Sequence, residues 1–397
     1  METVYVIDSV RTPIGKYGGA LSTVRPDDLL ALVIKALIGR NKNIDVNAIE
    51  DVIAGAANQS GEDNRNVARM AALLAGLPAS VAGNTVNRLC ASGLQAIMDS
   101  ARTIACGDAH MMIACGVESM SRAPFVMPKA TTPFDRNAQV FDTTMGWRFI
   151  NKKLSEMYFP YSMGETAENV ARQWNISRHA QDEFAMTSQQ KYAIAHKAEK
   201  FKDEIIPVQI QVGKDVFDFE QDEHPRLSSL EKLAQLKPAF IKDGTVTAGN
   251  SSGINDGASA MLLAGEAAVK KFALKPIAKI KSMAVAGVEP AVMGIGPLPA
   301  TQKALKRAGL TVGDLDLIEL NEAFASQSIA CIHDLGLDLE KVNVNGGAIA
   351  LGHPLGCSGV RISTTLLHEM KRRKSKYGLA TMCVGVGQGA AVIFEGV

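Results

Sequence analysis

The sequence predicts an α/β fold made of two similar halves, with a more polar lobe inserted between them. Short apolar runs of strand character are followed by glycine-bearing turns and then by apolar residues at helical spacing. This unit occurs near residues 84–118 and again near 342–384, which indicates two halves of one architecture. Residues 121–250 lie between the units and are richer in proline and in charged helical stretches.

The predicted elements alternate between strand and helix in both halves. Such alternation favours parallel sheets with helices on both faces. The first half contains strands at residues 4–7, 52–53, 85–86 and 111–116, with helices over 29–38 and after the turn near residue 90. The second half contains a strand at 342–345, a glycine-rich stretch at 346–359, a helix through Met370, and a strand at 379–384.

Composition excludes several classes of protein. The 397 residues include 42 Lys and Arg against 41 Asp and Glu, a formal net charge of +1. That balance argues against a large cationic surface for nucleic acid or an anionic membrane. No apolar run is long enough to span a bilayer, and the N-terminus lacks the pattern of a signal peptide. We therefore expect a cytoplasmic protein that binds neither nucleic acid nor a membrane.

The cysteines favour thiol chemistry over a structural role. There are six in the chain, and none is paired as C-x-x-C. The spacing therefore predicts neither a disulfide framework nor a zinc cluster, and no metal site is expected. In a reducing compartment a functional cysteine would be present as a thiol.

Cys90 lies in a turn, residues 87–93, that follows a predicted strand and opens a helix. The positive end of a helix dipole favours a thiolate, so we expect a lowered thiol pKa and a nucleophilic role. The small residues that follow Cys90 would let a substrate carbonyl approach the backbone. The alternative is a small cysteine buried in the core, which is common for free cysteines.

His353 lies in the glycine-rich stretch, a setting that is not typical of a histidine in a hydrophobic core. Its imidazole could take a proton from a nearby thiol at neutral pH. The alternative is a surface histidine in a glycine-rich loop. The stretch contains neither G-x-x-x-x-G-K-[ST] nor G-x-G-x-x-G, so nucleotide hydrolysis and dinucleotide binding are disfavoured.

Two further motifs contain polar groups at predicted strand ends. In residues 383–389 alternating glycines leave backbone N–H groups open to an oxyanion, and Cys383 could donate or accept a proton. The alternative is a tight turn between strands with an incidental cysteine. Asn321 ends another strand and could hold a water or a carbonyl, or could instead cap the following helix.

Taken together, these motifs resemble the thiolase family, in the family's order and over nearly the whole chain. The similar segments are 87–93 for the nucleophile turn, 321–324 for the Asn motif, 352–354 for the His motif and 383–385 for the second-Cys motif. Residues 10–15 and 247–253 also look like thiolase signatures.

The resemblance implies the thiolase fold, two α/β/α halves that form a five-layered core with an inserted loop domain over the coenzyme A site. The implied N-terminal half is residues 1–120 plus 251–272, the loop domain 121–250, and the C-terminal half 273–397. The family also implies a homo-oligomer, a dimer or a dimer of dimers.

The implied activity is cleavage of a 3-oxoacyl-CoA through an acyl-enzyme on Cys90, or the reverse Claisen condensation. By resemblance, His353 activates Cys90, Asn321 holds a water, Cys383 transfers protons, and the N–H groups of Cys90 and Gly385 form an oxyanion hole. Coenzyme A and its thioesters are the substrates, with no permanently bound cofactor.

The family pattern also carries over residues that contact coenzyme A. They are Met163, Ser252, Ala323 and Phe324 on the pantetheine side, with Arg226 as a phosphate contact.

Within the family, residues 58–69 and 141–149 look most like 3-oxoadipyl-CoA thiolases. Ser162 and Gly164 depart from two subfamily patterns, since acetoacetyl-specific enzymes often have His at the first position and 3-oxoadipyl enzymes Pro at the second. A dicarboxylate acyl tail would require a cation, for which Arg148 and Arg65 are candidates.

Three alternatives remain open from the sequence. The first is an acetoacetyl-CoA thiolase that condenses two acetyl-CoA. The second is a decarboxylating condensing enzyme, although such enzymes pair their cysteine with two histidines or with His and Asn rather than with a second cysteine. The third is a non-catalytic protein that binds CoA or lipid, although all four reactive positions are filled here.

Overall fold

The computed structural model describes residues 2–397. Its strands confirm the predicted ones near residues 4, 52, 85, 111 and 379. They are β1 (Val4–Arg11), β2 (Gly15–Lys16), β3 (Asp51–Gly55), β4 (Ala82–Val86), β5 (Met111–Ser119), β6 (Phe125–Val126), β7 (Phe141–Asp142), β8 (Val208–Val212), β9 (Asp215–Phe219), β10 (Asn255–Gly265), β11 (Ala278–Gly287), β12 (Leu317–Leu320), β13 (Tyr377–Val384) and β14 (Gln388–Gly396).

The helices include the predicted ones in both halves. They are α1 (Pro26–Arg40), α2 (Val67–Leu74), α3 (Ser92–Cys106), α4 (Lys152–Met157), α5 (Met163–Gln173), α6 (Arg178–Lys197), α7 (Leu230–Ala234), α8 (Glu266–Lys271), α9 (Pro297–Ala308), α10 (Ala325–Leu335), α11 (Ala348–Leu351) and α12 (Leu355–Arg373). Short 3-10 helices cover Ala20–Thr23, Val46–Ala48, Pro290–Ile295 and Val312–Asp314. Across residues 2–397, every helix is too short or too polar to cross a membrane.

The central sheet is mixed, so the expectation of parallel sheets was only partly right. Its strands follow the order β12-β13-β14-β11-β1-β10-β5-β3-β4, and β2 pairs with β10. Parallel pairing is confined to β12 with β13 and to β3 with β4 and β5. Antiparallel pairing arises because β13 and β14 are joined by a tight turn and because β10 runs opposite to both of its neighbours.

Helices and the two halves of this sheet form five layers. β1 and β11 join the halves through two residue pairs only. α1 and α2 cover one outer face, and α9 covers the opposite one. α3 and α12 pack against each other between the half-sheets, and their apolar residues share one buried cluster with both. This arrangement confirms the predicted fold.

The segment after β5 leaves the first half-sheet, and the chain returns to that sheet in β10. The intervening residues contain α4 to α7 and two short hairpins, β6–β7 and β8–β9. α5 and α6 pack against α10 of the second half. The boundaries of an inserted domain at 121 and 250 stay a prediction.

The strand predicted at residues 342–345 is wrong. Only Val342 forms a bridge, to Ile318. Asn343 adopts a left-handed φ of 45°, and its side chain donates to the Leu320 carbonyl and accepts from the Leu320 N–H. The backbone of this segment pairs with β12 only at Ile318, and the Asn343 side chain takes its place at Leu320, so an extended strand is not needed here.

The contact between the start of α12 and β5 depends on glycine at residue 116. A Cβ there would lie 2.2 Å from the carbonyl oxygen of Gly356. We expect Gly116→Ala to lower the free energy of unfolding by about 3 kcal/mol, because backbone cannot yield as a flexible side chain would. Urea denaturation of the wild type and of the variant measures this difference in the free energy of unfolding. Gly39→Ala in α1, where a Cβ meets nothing within 4 Å, should change stability by less than about 1 kcal/mol. Equal effects would contradict the prediction.

Candidate active site

The four predicted motifs meet where α3 and α12 begin. Cys90 and His353 each precede their helix by two residues. The two helix starts touch through backbone, since a Cβ at Gly93 would lie 2.8 Å from the Gly356 oxygen. Cys383 and Asn321 come from the carboxyl ends of the neighbouring parallel strands β13 and β12. The sheet and the central helices therefore bring together residues that are far apart in the chain.

Cys90 is half-buried in a turn that is held in an unusual conformation. Leu89, directly before it, has a left-handed φ of 45°. Removal from water raises the pKa of the Cys90 thiol to about 11, although the N–H of Gly385 donates to its sulfur and acts in the opposite direction. The expected lowering of this pKa is therefore wrong, because desolvation outweighs the favourable N–H groups. A protonated Cys90 needs a base.

The protonation state of His353 suits it to act as that base. Its Nδ1 lies 2.6 Å from Ser358 Oγ, and the Ser358 hydroxyl donates to the Pro354 carbonyl at 2.7 Å. Since that hydroxyl proton is committed, Nδ1 must carry its own proton and donate, which leaves a lone pair on Nε2. Burial, together with the positive charge of Arg361, lowers the pKa of His353 to about 3. The imidazole is therefore neutral at physiological pH, and Nε2 can accept a proton.

The backbone of His353 is also anchored. Its N–H donates to Asn255 Oδ1 at 3.0 Å, and the Asn255 amide donates to the Gly15 carbonyl at 2.9 Å. Gly352 has a φ of 105°, and a Cβ there would meet the Asn255 side chain at 2.5 Å. Only glycine permits this approach, which holds the histidine against the first half-sheet.

Asn321 lies beside the histidine. Its Nδ2 is 3.5 Å from His353 Nε2, and its Oδ1 is buried without a partner among residues 2–397. Phe324 is the N-cap residue of α10, so Asn321 does not cap that helix. A free amide oxygen next to the imidazole can bind a water or orient a substrate group.

Cys383 is buried at the end of β13, before the turn that leads into β14. Burial, followed by its closeness to Cys90, raises the pKa of its thiol well above the usual range. Val386 in the turn has a left-handed φ of 63°, which is costly for a β-branched residue. The motif is thus a strand-to-strand turn, as the alternative supposed, and its Gly385 N–H also reaches the sulfur of Cys90.

The residues predicted to contact coenzyme A form one group near Cys383. Met163, Ala323 and Phe324 share an apolar cluster with it. The Ser252 N–H donates to the Ala323 carbonyl at 3.0 Å. Arg226 is exposed nearby, with its guanidinium on the Ala248 carbonyl in the segment that leads to Ser252.

Sequence reasoning missed Ser358, Asn255 and two further buried residues. Glu118 accepts N–H groups from Ala57, Asn58 and Gly356, and burial raises its pKa to about 7. Gln327 accepts from Cys383 Sγ at 3.8 Å. Glu118 and Asn255 carry no local sequence signal of their roles. Ser358 and Gln327 closely follow the His and Asn motifs, which was the only signal available for them.

Comparison with known proteins identifies the family. The model of the thiolase N-terminal domain matches residues 4–267, and that of the thiolase C-terminal domain matches residues 274–396. The chain belongs to the thiolase family. Like its relatives, this thiolase is an acyltransferase.

Three similar proteins illustrate the range of the family. The chain is 54% identical to a beta-ketoadipyl-CoA thiolase of Escherichia coli, over 100% of both chains. Among solved structures, the acetyl-CoA acetyltransferase of Bacillus anthracis matches with a TM-score of 0.94 and 42% identity, over 100% of this chain and 99% of that one. Human mitochondrial 3-ketoacyl-CoA thiolase in complex with CoA matches with a TM-score of 0.93 and 41% identity, over 100% of this chain and 98% of that one.

Proposed function

We propose that this thiolase cleaves 3-oxoadipyl-CoA, or a broader range of 3-oxoacyl-CoA thioesters, with coenzyme A. The products are acetyl-CoA and an acyl-CoA shortened by two carbons. The convergence of two cysteines, a neutral histidine and a free asparagine amide carries the proposal. The 54% identity to a relative named beta-ketoadipyl-CoA thiolase supports the acyl group.

In the first half-reaction Cys90 gives its proton to His353 Nε2, and its sulfur attacks the keto carbon. The bond between C2 and C3 then breaks, and its electron pair forms the enolate of acetyl-CoA. The imidazolium and a water on Asn321 stabilise the enolate oxygen. Cys383 donates its S–H proton to C2, so acetyl-CoA departs and a thiolate remains on Cys383.

In the second half-reaction the Cys383 thiolate takes the proton of the incoming CoA thiol. The CoA sulfur attacks the acyl carbonyl on Cys90, and the N–H groups of Cys90 and Gly385 donate hydrogen bonds to the oxyanion that forms. The thioester bond between the acyl carbon and the Cys90 sulfur breaks, and the imidazolium of His353 returns its proton to that sulfur. Every group is then restored.

Coenzyme A is proposed to lie along the group of residues beside Cys383. Met163, Ser252, Ala323 and Phe324 would contact pantetheine, and exposed Arg226 would contact a phosphate. The lobe of residues 121–250 would cover this face. We further propose a homo-oligomeric enzyme in the cytoplasm, with no permanently bound cofactor.

For the acyl tail, Arg148 is the better of the two candidate cations. It follows Trp147, which lines a small pocket. Pro290 and Val386 line the same pocket, and Val386 belongs to the turn that follows Cys383. The Trp147 indole donates to the Tyr161 carbonyl, which ties this segment to the start of α5. Arg65 belongs to the separate loop between β3 and α2.

The proposed substrate is tested by thiolysis of acetoacetyl-CoA, 3-oxohexanoyl-CoA and 3-oxoadipyl-CoA. A kcat/KM at least about tenfold higher for the dicarboxylate than for the six-carbon monoacid supports the proposal. Arg148→Met should remove that preference, and Arg65→Met should keep it. A preference for acetoacetyl-CoA would favour the alternative, condensation of two acetyl-CoA, and no activity on any thioester would overturn the proposal.

Ser358→Ala tests the assigned tautomer of His353. Without the hydroxyl, Nδ1 loses its acceptor and the proton can move to Nε2, so we expect kcat for acetoacetyl-CoA thiolysis to fall about 10²-fold. Ser363→Ala removes an equivalent buried hydroxyl, which donates to Gly359 O at 2.8 Å in the same helix, and should leave kcat within about threefold. Similar losses in both variants would argue against a role for the tautomer.

A further inference from the structure

We propose that Gln327 is a positioning residue for Cys383, and that its side-chain oxygen holds the Cys383 thiol in the protonated, proton-donating state. The proposal rests on the proposed function, in which Cys383 gives a proton to the acetyl-CoA enolate. Gln327 lies in the first turn of α10 and is fully buried.

The orientation of the Gln327 amide follows from its backbone contacts. Its Oε1 accepts the Ala323 N–H at 3.1 Å and lies 3.5 Å from the Phe324 nitrogen. Because a backbone N–H can only donate, the oxygen and not the NH₂ group must face this segment. The same oxygen is the one 3.8 Å from Cys383 Sγ, so it receives the S–H.

Packing keeps the Gln327 side chain in this place. A Cβ on Gly294 would lie 2.6 Å from Gln327 Cβ and 3.3 Å from Cγ, so the glycine is what leaves room for the glutamine. Cys383 belongs to a buried apolar cluster that includes Ala167, Val246 and Met293, with the Cys90 thiol close by. Gln327 thus supplies a side-chain hydrogen-bond acceptor to a thiol that lies in a largely apolar cluster.

This contact has a consequence for proton transfer. A carbonyl oxygen stabilises the S–H form and faces the lone pairs of a thiolate unfavourably, so the proton stays on Cys383 until a stronger base forms. The enolate carbon is such a base. After donation, the same unfavourable contact makes the thiolate more ready to take the proton of CoA. Gln327 thereby serves both half-reactions without contacting substrate.

The test separates Cys383 chemistry from Cys90 chemistry. Exchange of the acetyl-CoA methyl protons for deuterium, followed by NMR in D₂O, reports proton transfer by Cys383. Alkylation of Cys90 by iodoacetamide, followed by mass spectrometry, reports the nucleophile. The variants are Gln327→Met, which removes the acceptor, and Gln327→Glu, which keeps an oxygen toward Ala323 in either protonation state. Ser328→Ala is the control, since that hydroxyl donates to Phe324 O in the same turn.

We expect Gln327→Met to slow methyl exchange about tenfold or more while Cys90 alkylation stays within about twofold of wild type. Gln327→Glu should restore exchange to within about threefold, and Ser328→Ala should match wild type. Exchange within twofold in Gln327→Met, a parallel loss of Cys90 alkylation, or failure of Gln327→Glu to restore exchange overturns the proposal. If Gln327→Met does not fold, Gln327→Asn, whose oxygen is retracted by one methylene, replaces it. Wild-type protein that neither exchanges nor cleaves a thioester would refute the proposed function instead.

Discussion

Replacing Cys90 with alanine is expected to lower kcat for thiolysis by at least about 10⁴-fold, because the covalent acyl-enzyme can no longer form. Binding of coenzyme A, measured by calorimetry, should stay within about threefold, since the proposed contacts of CoA lie on other residues. The side chain is small and half-buried, so the variant should fold normally.

Cys106→Ala is the matched control for this experiment. Cys106 is exposed and is the last residue of α3, the helix that Cys90 precedes. Its loss should change kcat by less than about twofold. Cys90→Ala protein that retains a tenth of wild-type turnover would show that Cys90 is not the nucleophile. Retained CoA binding with no turnover in wild type would favour a non-catalytic CoA-binding protein.

His353→Asn is expected to lower both kcat/KM for thiolysis and the rate of Cys90 alkylation at pH 7.5, each by about 10³-fold. The reason lies in the resting protonation states. Burial raises the pKa of Cys90 to about 11 and lowers that of His353 to about 3, so a neutral imidazole faces a protonated thiol near neutral pH. Removal of the base leaves only the small fraction of thiolate that forms unaided.

The pH dependence distinguishes this explanation from loss of structure. In His353→Asn, Cys90 alkylation should rise about tenfold per pH unit between pH 7 and 10, because only spontaneous ionisation supplies the thiolate below the raised pKa. Loss of structure would instead expose Cys90 to water with an ordinary thiol pKa of about 8.5, so the alkylation rate would level off above that pH. His333→Asn, at the exposed end of α10, should behave as wild type. Alkylation of His353→Asn at the wild-type rate would exclude His353 as the base of Cys90.

The sequence by itself determined the family, the order of the four motifs and most strands and helices. These features are local. Apolar runs, glycine-bearing turns and reactive residues next to predicted strand ends are visible in short windows of the chain. The thiol, imidazole, amide and second thiol of the four motifs also indicated acyl transfer through a cysteine.

Only the tertiary structure decided the protonation states and the hydrogen-bond partners of these groups. The direction of the Cys90 pKa shift depends on desolvation by distant segments, so the helix-end argument from sequence was wrong. The tautomer of His353 depends on Ser358, and the contact of Cys383 depends on Gln327, 56 residues away. Likewise, the Asn343 side chain replaced a predicted strand by binding Leu320. Burial and hydrogen-bond partners arise from packing between segments, and local sequence pattern does not encode them.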